Sequence, residues 1–366
     1  MGTSNPVFNW IFFVFTMNVT FLHTTSSHRE IKDLISDISS NVKTSDFAFF
    51  DYPCLREGKN ILLQIYKFRK YLKINKIDIV HVYDYIDAYL VMLASKGLSV
   101  KIVFSDYSYH DDLKGLKYRI CKNVFGKVDY VIFQSEIHKK YIIKKYQLDQ
   151  EKCSKLFHAF CYKRFDSYLF SSIRDEFFIE DLRYLIGTIG DFTPHRDMMS
   201  VFKMVKKLRR TGRNFTCVVA GGQVEEYDHY YDTCKYYYLL QGLDNYITYM
   251  GRRYDDANLL SQLDVFVYNS AREVVALPVI KAMISGVNVV VNDCDMIREI
   301  TCNGKYASLY KDNDSSDFAV KTRYALLDLE DNKLISQVVK EETRMIFSIE
   351  RHIKGLKQIY SKIITD

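Results

Sequence analysis

Short apolar runs alternate with longer stretches in which apolar residues recur every three or four positions, almost from end to end of the chain. The runs read as buried strands and the periodic stretches as amphipathic helices, the pattern of parallel α/β sheets. In the first half strands are expected at 19–23, 47–50, 77–82, 101–105 and 130–133. Between them Ile61, Leu62, Ile65, Phe68 and Leu72 recur at helical spacing, with Lys67, Lys70 and Lys73 interleaved. That predicts a helix with its apolar stripe on the sheet and its basic face outward. The pattern restarts after about residue 170, with strands expected at 184–189, 215–220, 246–250, 265–268, 287–291 and 307–310 and a helix over 198–208. The reading is two doubly wound, Rossmann-like domains, 17–170 and 171–346, facing each other across a cleft. Segment 347–366 is expected to return to complete the first. Ligands of such sheets bind at the carboxyl ends of the strands.

Composition narrows the class without changing it. The 366 residues are 48% apolar and 26% charged, enough for a sizeable core, and 15% aromatic with only 4 Pro, which excludes a disordered or collagen-like chain. The net charge of +6 hides an asymmetry: residues 1–170 carry 25 Lys and Arg against 17 Asp and Glu, and the remainder 26 against 28. Lys117, Lys122, Lys139, Lys140, Lys144 and Lys145 crowd one stretch of the basic half. Such a half suits an anionic lipid surface or a solvated helix face; no nucleic-acid motif accompanies it. The eight cysteines form no CxxC pair and no zinc spacing, and read as reduced residues of a cytoplasmic protein. Residues 1–16 hold an apolar run, 7–15, too short to span a bilayer and lacking a signal peptide's basic start. It is read as a leader, or as a short interfacial anchor, ahead of a domain starting near Met17.

Candidate chemistry concentrates in 264–286. A buried strand is followed by the polar loop Asn269-Ser270-Ala271-Arg272-Glu273, and Leu277-Pro278 then opens a helix that Gly286 ends. Proline suits a first helical turn, and a helix start offers N–H groups to a diphosphate. A ligand site and a plain helix start fit these residues equally.

This segment resembles the donor site of glycosyltransferase family 4, retaining enzymes of the GT-B fold. The family carries a Glu, seven residues, then a second Glu with Ala-Met and a Gly; here stand Glu273, Lys281-Ala282-Met283 and Gly286. Gly190-Asp191-Phe192-Thr193-Pro194-His195-Arg196 is similar to the family's phosphate-binding loop. The 215–222 strand and turn, the approach to Gly251, and Met296-Ile297-Arg298-Glu299-Ile300 are similar to segments that follow in the same order. In the first half, Asp78-Ile79-Val80-His81 and the strand ending in Ser135-Glu136 resemble family strands, and near the end Phe347-Ser348-Ile349 resembles the helix that returns to the first domain.

The resemblance implies a metal-independent, hexosyltransferase-type retaining enzyme in synthesis of bacterial-type surface polysaccharide or glycolipid. It would move a sugar from a nucleotide-sugar, with no other cofactor, to a sugar or lipid-linked acceptor hydroxyl. The enzyme would be cytoplasmic or peripheral on the cytoplasmic membrane face. The catalytic residues implied are Glu273, holding the donor sugar, and His110; His81, at a strand end, reads as structural. Implied for donor binding are Gly190, Asp191, Arg196, Gly251, Arg252, Val275, Ala276, Leu277 and Lys281, with Arg196 clamping the diphosphate. For His110 a loop role satisfied by neighbouring aspartates stands beside the sugar contact. Three departures matter: Lys281 replaces the second Glu, which accepts from ribose hydroxyls; Asp191 replaces a basic phosphate ligand; and the glycine-rich loop and Asn-Gly of the first domain have become 23–28 and His158-Ala159-Phe160. Lysine only donates, so an inactive, donor-binding subunit of the same fold is the alternative.

Overall fold

The computed structural model describes residues 17–23, 29–43, 45–57, 60–167, 170–327 and 329–365, so the expected leader and most of the 23–28 loop lie outside the described residues. Twelve strands form two six-stranded sheets among them. The first comprises β1 (Asn18–Leu22), β2 (Ala48–Tyr52), β3 (Ile79–Val82), β4 (Lys101–Asp106), β5 (Tyr130–Phe133) and β6 (Cys153–Lys155), in the order β2-β1-β3-β4-β5-β6. The second comprises β7 (Tyr184–Ile189), β8 (Phe215–Ala220), β9 (Ile247–Gly251), β10 (Val265–Tyr268), β11 (Asn288–Asn292) and β12 (Ser308–Tyr310), in the order β12-β11-β10-β7-β8-β9. The expected strands all form, within two residues of their predicted ends. Only β6 escaped the sequence reading, because its three residues Cys-Ser-Lys carry no apolar run.

By packing the chain divides into two compact units. One contains the described residues up to Asp106, Asp112–Ile132 and the stretch from Ile353 onward; the other contains Tyr107–Asp111 and Phe133–His352. In the first, Val19, Phe21, Ile79, Val80, Val103 and Phe104 are buried in and around the sheet. The C-terminal helix Ile349–Thr365 brings Tyr360 to it: the Tyr360 hydroxyl lies 2.6 Å from His81 Nδ1, and Ser105 Oγ lies 2.7 Å from Nε2. His81 is fully buried with both ring nitrogens partnered, a structural histidine as its position suggested.

The basic helix forms over Ile61–Ile74, capped by Asn60, whose side chain accepts from Leu63 N. Its apolar stripe needs correction. Only Phe68 and Leu72 are buried, whereas Ile61, Leu62, Leu63, Tyr66 and Ile74 are exposed beside Lys67, Lys70 and Lys73. The helical spacing did not distinguish residues that meet the sheet from residues left on the surface.

The second sheet is parallel throughout. The chain runs from β7 outward through β8 to β9, then returns to β10 on the other side of β7 and runs on to β12. The β7–β10 pair is therefore the point where strand order reverses, and a crevice opens there at the carboxyl ends. One face buries helix Met198–Leu208 through Met198, Val201, Phe202 and Val205; the other buries helix Leu277–Ser285 through Val279, Ile280, Ala282 and Met283. Gly286 ends the latter helix at φ 83°, a left-handed conformation that glycine adopts without a Cβ clash.

The β7, β8 and β9 ends are stitched by their own backbone. Gly190 N donates to Ala220 O at 2.9 Å and Gly221 N to Gly251 O at 2.9 Å. A Cβ at Gly221 would overlap the Gly190 carbonyl oxygen, a backbone atom that cannot step aside. Gly→Ala ordinarily stabilises a compatible site; here overpacking wins. Gly221→Ala is expected to lower the unfolding free energy by about 1–3 kcal/mol, read from the midpoint of a urea titration.

Candidate active site

The floor of the crevice is a buried arginine. Arg196, 4% exposed, lies just before helix Met198–Leu208. Its Nε and Nη2 donate to Ile189 O at 3.2 and 2.7 Å, Nη2 also donates to Thr188 Oγ1 at 3.0 Å, and Nη1 donates to Asn269 O at 2.5 Å. One guanidinium thus ties the end of β7 to the end of β10. Arg196 was expected to present an open fork to a diphosphate. Its fork instead closes on backbone carbonyls, because those carbonyls leave the sheet at the strand ends and need donors.

Tyr268, the last residue of β10, stacks over that guanidinium at 3.3 Å from ring centre to Cζ, and its hydroxyl donates to Glu273 Oε2. Burial pushes the Glu273 carboxyl above its ordinary 4.5; the charge of Arg196 and the Tyr268 hydroxyl pull only part of the way back. Asn269 completes the floor: its Nδ2 donates to Asp197 Oδ2 at 2.6 Å and its Oδ1 accepts from Tyr310 at 2.5 Å. Neither Tyr268 nor Asn269 was assigned to the site, since in the sequence Tyr268 reads as the end of an apolar strand and Asn269 only as the start of the polar loop.

Around this floor the other expected residues gather at the carboxyl edge. Asp191 Oδ1 accepts from Gly222 N at 2.7 Å, and Arg252 Nη2 donates to Asp191 Oδ2 at 2.9 Å. Arg252 stays about half exposed, 48% for its side chain, and is the accessible cation of this loop cluster. Gly190 lies against the Arg196 side chain, which a Cβ there would strike. Val275 and Ala276 precede helix Leu277–Ser285, whose first turn has no side-chain cap; Leu277 N donates to Val275 O at 3.1 Å. Lys281, on the same helix, is paired with Asp256 at 2.6 Å.

His110 belongs to the same compact unit as Glu273. It is 8% exposed, at φ 55°. Its loop is held by Lys145, whose Nζ donates to Tyr109 O, His110 O and Asp111 Oδ1 at 3.0, 2.9 and 2.6 Å. Tyr109 donates its hydroxyl to Glu273 O at 3.2 Å, and Arg272 pairs with Asp111 while its guanidinium lies 4.7 Å from the Tyr109 ring centre. Burial works against the Asp111 carboxylate, but the Lys145 and Tyr141 hydrogen bonds and the charges of Lys145 and Arg272 hold its carboxyl below the ordinary 3.8. Ser135 caps helix Glu136–Tyr146 and donates to Val274 O at 3.1 Å. Glu299 accepts from Glu136 N at 2.8 Å, an anion at a helix start that the sequence reading did not assign. His158 is buried 3.0 Å from the Tyr107 hydroxyl, and burial, with His352 and Lys281, holds it neutral far below 6.5.

Two doubly wound sheets, with a desolvated carboxyl over a clasped guanidinium at the switch point of the second, define an α/β protein of the GT-B fold. The sequence pattern of the family described as Glycosyl transferases group 1 matches residues 170–342, and that of Glycosyltransferase Family 4 matches residues 19–155. The chain belongs to this glycosyltransferase family. It is similar to a glycosyltransferase from Rickettsia africae (TM-score 0.77, 15% identity, 96% of this chain and 100% of that one). It is equally similar to Anabaena HepE in complex with UDP (TM-score 0.77, 14% identity, 94% and 100%). A further likeness is to WaaG, a glycosyltransferase involved in lipopolysaccharide biosynthesis (TM-score 0.64, 13% identity, 93% and 99%). No curated protein sequence matches the chain.

The clasp gives a test. Each buried acceptor left unpaired costs about 1–3 kcal/mol, so Arg196→Ala is expected to lower the unfolding free energy by about 2 kcal/mol or more. Arg196→Lys should recover only part, for want of the planar fork. Denaturant titration checks this. An unchanged midpoint with weakened diphosphate binding would return Arg196 to a ligand-facing role.

Proposed function

We propose that the chain is a retaining glycosyltransferase that moves a hexosyl group from a nucleotide-sugar to an acceptor hydroxyl, without a metal ion. The carrying observation is Glu273: a carboxyl at the switch-point crevice, gripped by Tyr268 above Arg196. Ionised, it accepts hydrogen bonds from the donor sugar's hydroxyls and fixes the anomeric carbon in place, with His110 as a second sugar contact. The bond from that carbon to the diphosphate breaks, the acceptor oxygen bonds to the carbon on the same face, and the acceptor proton passes to the departing diphosphate. Arg252 and the N–H groups at Val275 and Ala276 stabilise the charge that develops on the leaving group, the Leu277 N–H being taken up by Val275 O. Gly190, Asp191 and Gly251 shape the loops around it.

A role in surface polysaccharide or glycolipid synthesis, on the cytoplasmic face of a membrane, is part of this reading. It is supported by the exposed Leu62, Leu63, Tyr66 and Ile74 interleaved with Lys67, Lys70 and Lys73 on helix Ile61–Ile74. A helix that carries both lies in a bilayer interface, its apolar groups dipping below the headgroups and its lysines meeting anionic lipid. Among the described residues no helix is long and apolar enough to cross a membrane.

Two outcomes test the reading. Glu273→Gln keeps the Tyr268 contact and the shape but not the charge, and is expected to abolish transfer while the protein remains folded. In the wild type the acid limb of the pH–rate profile should lie above 4.5, because the buried carboxyl must lose its proton before it can accept. The sign for stability is opposite: a raised carboxyl pKa means stability declines as pH rises from 4.5 through the shifted value, and Glu273→Gln should remove that decline. For the membrane face, sedimentation with anionic vesicles should fall with salt, the Debye length being about 10 Å at 0.1 M. It should also fall in Leu62→Ser/Tyr66→Ser and in the triple Lys67, Lys70 and Lys73→Gln variant. No sedimentation at low salt would show that this helix is merely solvated.

A further inference from the structure

Lys281 stands where the family resemblance implies a carboxylate, and its partner is a carboxylate. Lys281 Nζ donates to Asp256 Oδ2 at 2.6 Å, with side chains only 13% and 23% exposed. Asp256 opens helix Asp256–Gln262, five residues beyond the end of β9, on the segment that also carries Gly251 and Arg252. At the other end of that segment Asp191, at a position implied to be basic, is paired with Arg252. Each ion pair sets one member of each sign beside the carboxyl edge of the sheet.

The chemistry of a nucleoside diphosphate makes the location of the carboxylate matter. The ribose offers a vicinal pair of O–H donors, and an ammonium, which has three donors and no acceptor, cannot receive them. A carboxylate has two oxygens and about four acceptor directions. Lys281 takes up one; the remaining directions suit a diol. We infer that Asp256, oriented by Lys281, is the carboxylate that accepts the ribose hydroxyls of the donor nucleotide. Asp256 is then a specificity-determining residue and Lys281 a positioning one. This rests on the nucleotide-sugar reading above.

Calorimetry on the full chain tests it with UDP, GDP and ADP, and with the 2′,3′-dideoxy form of whichever binds. The wild type should bind the ribose form at least about tenfold more tightly, the scale of one hydrogen bond to a charged group. In Asp256→Ala the ribose form should weaken to the level of the dideoxy form, whose own affinity stays where it was. Asp256→Asn, which keeps shape and packing should the alanine variant not fold, should shrink the discrimination. Lys281→Met should reduce it in part, again without moving dideoxy affinity, which a merely structural role would lower equally. Equal affinity of the wild type for both forms, or full discrimination surviving in the Asp256 variants, overturns the inference and leaves the nucleotide-sugar reading standing. If none of the three diphosphates binds the wild type, that reading falls and the inference falls with it.

Discussion

The candidate site depends on a guanidinium that closes the gap between β7 and β10. Two parallel strands that lead away in opposite directions leave their last carbonyls without ladder partners, at the place where the crevice must open. Arg196 supplies those donors from a single planar group, with the Tyr268 ring over its face. A positive charge taken out of water needs either a negative partner or many acceptors. Here the acceptors are carbonyls and a threonine hydroxyl, and the nearby Glu273 carboxyl completes the balance. The clasp that finishes the sheet therefore also sets the electrostatics of the residue proposed to hold the sugar.

The loop cluster around that clasp carries its charges in pairs. The rigid part is the set of strand ends joined by backbone and by Arg196. Beside them runs the segment from Gly251 to Asp256, whose Arg252 and Asp256 pair with Asp191 and Lys281. Removing one partner leaves a charge alone, a larger loss at the mostly buried Lys281–Asp256 pair than at the half-exposed Asp191–Arg252 pair. Compensation by a neighbour keeps both charges paired and keeps an acceptor and a cation near the crevice.

The histidines show a second consequence of burial. His158 and His352, burial holding the latter at about 4, sit neutral in the compact unit that holds Lys281. Neither adds positive charge beside Lys281 near neutral pH, and Lys281 pairs with Asp256. His110 is placed differently, at a left-handed turn whose carbonyl is tied down by Lys145. The Lys145, Tyr141 and Arg272 contacts to Asp111 hold that turn against the Glu273 loop, so its geometry is fixed by neighbours far away in sequence.

Sequence alone determined the architecture. Alternating apolar runs and helical stripes are local patterns, and they marked eleven of the twelve strands, the helix at Met198–Leu208 and the helix end at Gly286. The order of family-like fragments likewise placed Glu273 beside a helix start. What tertiary structure alone decided is which partner each polar group finds. Arg196 reads in sequence as a loop cation, and only the convergence of β7 and β10 turns it inward. Lys281 reads as the loss of an acceptor, and only the fold brings Asp256, twenty-five residues earlier, within 2.6 Å of it. The stripe on helix Ile61–Ile74 is the same case: spacing shows that a helix is amphipathic, but the sheet it lands on decides that Phe68 and Leu72 go inside and Leu62 and Tyr66 stay out. Periodicity is a property of neighbours along the chain, whereas desolvation and charge pairing are properties of neighbours in space.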